Sequence, residues 1–257
     1  MLIDTTAALM RTLMTNSKGV FKLKPRVLFN LIENNFEHPV DMQCQIPSSG
    51  IGSITLLEGA ALITALQLTR PQQVFEFGTF LGYSTALLLR NTGESCHITS
   101  IDLGDNSDQY SDAARYSDAE LRIDDKKNDD YLRFTQSIQG PRYLISITPQ
   151  QQGRLTLLRG DSTHLNVAAA GLSDVVDFVF VDGGHDSSTI ASDTRKALEM
   201  IGANGVVAWH DYDSKIHSDV TDFIGAFSQD HLIFHVENTM LAFLFKGKCV
   251  EHLTSKA

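Results

Sequence analysis

Four carboxylates in this chain stand where apolar runs end. Glu76 closes Val74-Phe-Glu, Asp102 closes His97-Ile-Thr-Ser-Ile-Asp, Asp161 closes Leu155-Thr-Leu-Leu-Arg-Gly-Asp, and Asp182 closes Val176-Asp-Phe-Val-Phe-Val-Asp. If those runs are strands of one open α/β sheet, the four acids line the crevice at the carboxyl ends of the strands, where such sheets bind ligands. A carboxylate at that place can accept two hydrogen bonds from the hydroxyls of a ribose. Strand-end acids also cap neighbouring helices, so the shared placement carries the reading and no single residue does.

The element that must position them is Val74 to Leu89. An apolar run ending in an acid passes through a glycine turn, Gly78 to Gly82, into a second apolar run from Ser84, which predicts strand, tight loop and helix. This is a nucleotide-cradling unit: Gly78 lets the chain turn, Gly82 lets helix and strand pack closely, and free amides at the helix start face the ligand. Phe80 occupies the position where a pyrophosphate-binding G-x-G-x-x-G loop needs its second glycine, which disfavours a dinucleotide.

Glu76-Phe-Gly-Thr-Phe-Leu-Gly82 resembles motif I of class I S-adenosylmethionine-dependent methyltransferases, in the variant seen in small-molecule O-methyltransferases. Asp102, twenty residues past Gly82, falls where a second strand presents an acid to a ribose. Val176 to His185 and Gly205-Val-Val-Ala-Trp-His-Asp-Tyr212 resemble the fourth and fifth strands of that family, and the resemblance runs over roughly residues 55 to 245. It implies S-adenosylmethionine as cofactor, with contacts from Glu76, Gly78, Thr79, Phe80, Gly82, Ser84, Asp102, Leu103, Asp161, Ser162 and Asp182. Within that set Glu76 meets the ligand's ammonium group, and Asp161 with Ser162 sits beside the adenine.

The same resemblance assigns a second constellation. In metal-dependent catechol-type O-methyltransferases a carboxylate ends the fourth strand, a base follows three positions later, and a metal-binding pair ends the fifth strand. Asp182, His185 and His210-Asp211 fall on those places. The catechol enzymes carry lysine at the base position and an Asp-Asn pair, so the histidines here look more like the methyltransferase 24 and macrocin-type groups. The resemblance thus implies His185, His210 and Asp182 as catalytic residues, His185 acting as a neutral imidazole base. Asp182, Asp211 and His210 become the ligands of magnesium or another divalent cation. A metal-free site in which the histidines act alone stays open beside it.

Composition narrows the partners. The 257 residues suit one large domain, 42% hydrophobic residues can build a core, and 21 basic against 31 acidic residues give a net charge of −10. Such a field repels phosphate backbones and anionic membrane surfaces. The basic cluster Lys18, Lys22, Lys24, Arg26 lacks interleaved aromatics beyond Phe21 and reads as a solvated face. Cys44, Cys96 and Cys249 lack metal or redox spacing, and no run approaches a membrane span, so a cytoplasmic enzyme is the expectation.

Taken in order, residues 1–53 predict helices, from Thr5 to Met14 and from Pro25, with a linker at Gln45 to Ser53; the resemblance implies that they cap the active site or build a homodimer interface, and a helix merely covering a sheet edge stays open beside it. Thr55-Leu-Leu-Glu58 is a capping box opening a helix to about Leu68. Residues 54–257 form the cofactor-binding domain, interrupted by an insertion at about 104–153 that exceeds an ordinary α/β connection and whose first half, to residue 130, holds nine acids against four bases. It reads as a lid or recognition element. A helix over Thr163 to Ala170, a crossover helix over Ser188 to Ile201, a last helix over His217 to Phe227 and a hairpin around Glu237-Asn-Thr239 complete the chain. His164, His217, His231, His235 and His252 have no partner at meaningful spacing, and Trp209 reads as core or pocket wall.

The fold expected is therefore α/β: a Rossmann-like, doubly wound, mostly parallel seven-stranded sheet with a C-terminal antiparallel hairpin and N-terminal helices. The function expected is methyl transfer to a hydroxyl of a small molecule. The rivals are a nicotinamide-dependent oxidoreductase and a non-catalytic ligand-binding module on the same fold.

Overall fold

Side-chain alternation along the strands builds the sheet. In the computed structural model, which describes residues 17–48, 50–104 and 107–247, β2 (Gln73–Phe77), β5 (Phe178–Val181) and β6 (Gly205–Trp209) are buried almost throughout. Their side chains divide by parity. Val74, Phe178, Phe180, Val206 and Ala208 join one core with α2 (Leu56–Thr69) and α3 (Tyr83–Arg90). Phe75, Phe77, Val179, Val181, Val207 and Trp209 join the other with α7 (Ser187–Ile201) and α8 (Ser218–Phe227). Continuous apolar runs are what burial on both faces of a parallel sheet requires.

Among the described residues the sheet has eight strands in the order β1-β7-β8-β6-β5-β2-β3-β4, where β1 is Gly19–Leu23, β3 His97–Asp102, β4 Leu155–Arg159, β7 Leu232–Val236 and β8 Ala242–Lys246. β8 runs antiparallel to both its neighbours, β6 and β7, as the hairpin reading required. The eighth strand is β1, parallel to β7, in a stretch where the sequence reading placed only helices. Its apolar side chains alternate, Phe21 packing on one core and Val20 on the other. Lys18, from the expected solvated cluster, flanks this outermost strand and pairs with Asp230 at 3.0 Å; lysines at a sheet edge discourage further strand addition.

The capping box at Thr55 and Glu58 is present in both directions, and α1 (Pro25–Asn35) opens on its proline. The Thr5 to Met14 helix, Cys249 and His252 lie outside the described residues. A helix over Thr163 to Ala170 does not form. Asp161 accepts hydrogen bonds from the backbone N–H and hydroxyl of Thr163, so this stretch has only a 3-10 turn at Ser162–His164 followed by irregular turns, the local side-chain competition that disfavours helix at Asp, Ser and Asn. The insertion holds a 3-10 segment (Ser107–Arg115), α4 (Asp118–Leu121), α5 (Asp125–Gln139), a second 3-10 segment (Arg142–Ser146) and α6 (Pro149–Gln152). Among the described residues no helix is long and apolar enough to cross a membrane.

Candidate active site

Register aligns the strand ends. Phe77 pairs with Val181 and Val181 with Trp209, so Gly78, Asp182 and His210 emerge side by side. The loop after β2 passes so close to the end of β5 that a Cβ on Gly78, whose φ is +93°, would lie 1.9 Å from the Asp182 carbonyl oxygen. Only glycine fits there.

A cavity of about 570 Å³ opens above these ends, lined by Gly78, Phe80, Asp102, Asp161, Asp182 and His185 among others. Two pieces roof it. Ile51 to Ser53 come from the linker before α2, and Asn128, Asp129, Leu132, Arg133 and Gln136 come from α5. Linker and insertion touch where Gly52 packs under Leu132 and the Phe80 ring.

At one end Asp102 organises the glycine loop. Its Oδ2 accepts from the backbone N–H of Thr79 (2.8 Å) and Phe80 (2.6 Å) and from Gln136 Nε2 (2.8 Å), and Oδ1 accepts from Leu103 N–H. Phe80 keeps a positive φ of +46° within this arrangement. Leu103, Asp161 and Ser162 also line the cavity. Behind them Ser162 Oγ donates to Asp193 Oδ2, while Asp193 Oδ1 is buried without a hydrogen-bond partner among the described residues; burial pushes this carboxyl up to about 6.

Four expected cofactor contacts are placed elsewhere. Glu76, Thr79, Gly82 and Ser84 do not line the cavity. Glu76 is 0% exposed and accepts from Thr85 Oγ1 (2.5 Å) and Ser100 Oγ (2.6 Å), beneath the loop rather than facing a ligand. Glu76 has the parity of Val74, so its side chain faces the side of the sheet covered by α3, where it meets Thr85. Gly82 accommodates Leu144 of the insertion: a Cβ there would meet Leu144 Cγ at 2.7 Å.

Burial pushes the Glu76 carboxyl up to about 7 from an ordinary 4.5, against the hydroxyls that favour its charged form. Between those two values the folded chain keeps a proton that the unfolded chain has lost, so stability falls as pH rises through the window. Glu76→Gln should remove about 1–3 kcal/mol of that loss. Urea unfolding at pH 5 and pH 8 reads it; a variant whose stability still falls as steeply as wild type would show that Glu76 is not the titrating group.

At the other end two imidazoles interleave with carboxylates. His210 Nδ1 is 3.2 Å from Asp182 Oδ1 and 3.2 Å from Asp211 Oδ2. Among the described residues His210 Nε2 is buried without a hydrogen-bond partner, with Glu58 Oε1 3.6 Å away. Glu58, the capping residue of α2, is held at about 2 because His210 and two backbone N–H groups outweigh its burial. His185 lies between acids as well, Nδ1 2.7 Å from Asp129 and Nε2 3.1 Å from Asp211. Burial opposes its charge, but Asp211 and Asp129 push it up to about 10. A carboxylate at each ring nitrogen thus favours the charged form of His185, where the sequence expectation had a neutral base. Asp211 is the hub, held well below the usual carboxylate range by both imidazoles against its burial, in a left-handed backbone conformation with φ +62°.

Sequence reasoning did not find Glu58, Asp125, Asp129, Gln136, Asp193 or His217. His217, set aside for want of a partner, stacks on His185 with centroids 3.7 Å apart and pairs with Asp125 at 2.6 Å. The available signal was the one-turn spacing of Asp125 and Asp129; their partners lie 92 and 56 residues away and had no local trace. His164 is exposed, and His231 and His235 pack against Phe227 and Tyr212. Trp209 is core, its Nε1 donating to Thr194.

A doubly wound sheet with a glycine-turn loop, a strand-end acid bonded to that loop and a roofed crevice defines a Rossmann-like, nucleotide-type ligand-binding protein. The particular family follows from the sequence of that core: residues 75–212, more than half of the 257, match the methyltransferase 24 family model, described as a methyltransferase domain, and the chain belongs to that family. No curated protein matches. Among solved structures the chain is similar to the O-methyltransferase TomG from Streptomyces achromogenes, involved in tomaymycin synthesis and in complex with SAM (16% identity, 76% of this chain and 82% of that one, TM-score 0.46). It is also similar to an O-methyltransferase from Bacillus cereus in complex with SAH (13%, 95% and 100%, 0.45) and to the SAH-bound Podospora anserina methyltransferase PaMTH1 (13%, 95% and 96%, 0.46).

Proposed function

We propose that the chain transfers the methyl group of S-adenosylmethionine to a hydroxyl of a small acceptor. One observation carries the reading: a single roofed cavity joins the Asp102-bonded glycine loop to the imidazole–carboxylate cluster of Asp182, His185, His210 and Asp211. The first is built to hold a nucleoside, the second to handle a proton. The buried, partnerless Asp193 Oδ1 at the nucleoside end leaves an acceptor free for a ligand donor, which fits a purine amino group.

S-Adenosylmethionine supplies an electrophilic methyl on a sulfonium, so the protein's task is to orient the acceptor and remove its proton. Asp102, with one donor on Oδ1, keeps a lone pair for a ribose hydroxyl. Asp182, Asp211 and His210 place ligand atoms within 4.8 Å of one another, a set suited to a divalent cation that lowers the acceptor's pKa. His185 donates toward Asp211 and fixes its orientation; with no cation bound, Asp182, the most exposed of the cluster at 21%, is the group placed to accept the proton. The net charge of −10 supports a small acceptor over nucleic acid.

Asp102→Ala should weaken binding of S-adenosylmethionine by about 10- to 150-fold, because it removes a ribose acceptor and leaves two loop amides unpaired. Calorimetry reads the loss. Tight NAD binding by the wild type with no binding of the sulfonium ligand would turn the assignment toward an oxidoreductase.

A further inference from the structure

We propose that Asp125, Asp129, His185 and His217 form a second metal site, one for a zinc-class divalent ion, that pins the insertion helix α5 to the strand ends. The proposal goes beyond the methyl-transfer reading and does not depend on it. The four residues come from three separated stretches: α5, the loop after β5, and the start of α8. Each offers one ligand atom, all within 4.8 Å of one another, and the set shares no member with Asp182, His210 and Asp211.

The arrangement is specific. Asp125 and Asp129 stand one helical turn apart, so both carboxylates leave the same face of α5. Each meets one imidazole nitrogen, His217 Nδ1 at 2.6 Å and His185 Nδ1 at 2.7 Å, and the rings are stacked 25° from parallel. Both Nδ1 atoms therefore face α5 together. Both histidines are more than nine-tenths buried, at 9% and 6% exposure. His185 turns its remaining nitrogen to Asp211 at 3.1 Å, the outer carboxylate contact that orients a metal-ligating histidine. Two imidazoles and two carboxylates satisfy a four-coordinate ion of the zinc type, with bonds of about 2.0–2.2 Å. Magnesium and calcium, which prefer all-oxygen shells, are poorly served. The protons now shared between imidazole and carboxylate would leave as the ion enters.

The test uses the full chain, stripped with chelator and dialysed against zinc, in the background variant Asp182→Asn/His210→Gln, which silences the neighbouring group. One zinc per chain is expected, with proton release visible as buffer-dependent calorimetric heat and with slowed hydrogen exchange across residues 118–139. Adding Asp125→Asn and His217→Gln should weaken zinc binding by at least about 100-fold. If that variant fails to fold by circular dichroism, Asp125→Asn alone, at a half-exposed position, should still cost about tenfold. No zinc bound by the background variant overturns the site, as does unchanged affinity after the Asp125 substitution, or magnesium binding as tight as zinc. The S-adenosylmethionine titration is read separately, so a failed metal site leaves the cofactor reading standing, and the reverse.

Discussion

Asp211→Asn should lower turnover on a hydroxyl acceptor by about 100- to 10,000-fold while leaving S-adenosylmethionine affinity within a few-fold of wild type. One oxygen, Asp211 Oδ2, lies 3.1 Å from His185 and 3.2 Å from His210, so neutralising it removes the anion that holds both imidazoles charged and in place. It also removes a ligand from the Asp182–His210–Asp211 set. Asparagine tolerates the left-handed conformation that Asp211 adopts at φ +62°, so the backbone is preserved and the loss belongs to the carboxylate. Steady-state kinetics with a calorimetric binding control separates the two quantities. Wild-type turnover in Asp211→Asn would remove the cluster from the mechanism; a loss confined to cofactor affinity would move it to the binding side. Chelator treatment adds a second reading, since activity lost with EDTA and restored by magnesium or manganese makes the triad a cation site.

The second large effect is structural. Gly78→Ala would place a methyl group 1.9 Å from the Asp182 carbonyl oxygen and 2.6 Å from its carbon, both backbone atoms that cannot swing aside, and at a φ of +93° that side chains avoid. Overpacking and backbone strain together should cost about 3–5 kcal/mol. For a domain of this size that lowers the melting temperature by roughly 6–20 °C. Gly82→Ala should cost less, because the nearest atom there is side-chain, Leu144 Cγ at 2.7 Å, rather than backbone. Equal melting temperatures for wild type and Gly78→Ala would mean that β2 and β5 do not meet as closely as described.

What was legible in the sequence follows a physical division. Apolar runs ending in acids announced β2, β3, β4 and β5, because strand ends must turn polar at the crevice, and β2 and β5, buried on both faces, need no alternation. The glycine spacing announced the loop, since close approach at Gly78 excludes every other residue type. β1 was hidden because Lys18 precedes it and Lys22 interrupts it, and because it pairs with β7, which lies more than 200 residues onward. Asp125, Asp129 and His217 were hidden for the same reason: a site assembled from an insertion and a terminal helix has no local period to read. Glu76 misled, because a strand-end acid has two faces to choose from and this one turned inward.

Helix α5 reaches across the whole cavity, Gln136 bonded to Asp102 at the nucleoside end and Asp129 to His185 at the acid–base end. Removing one of these two bonds with Gln136→Ala is expected to speed release of S-adenosylhomocysteine, read by stopped-flow; an unchanged release rate would take α5 out of that step.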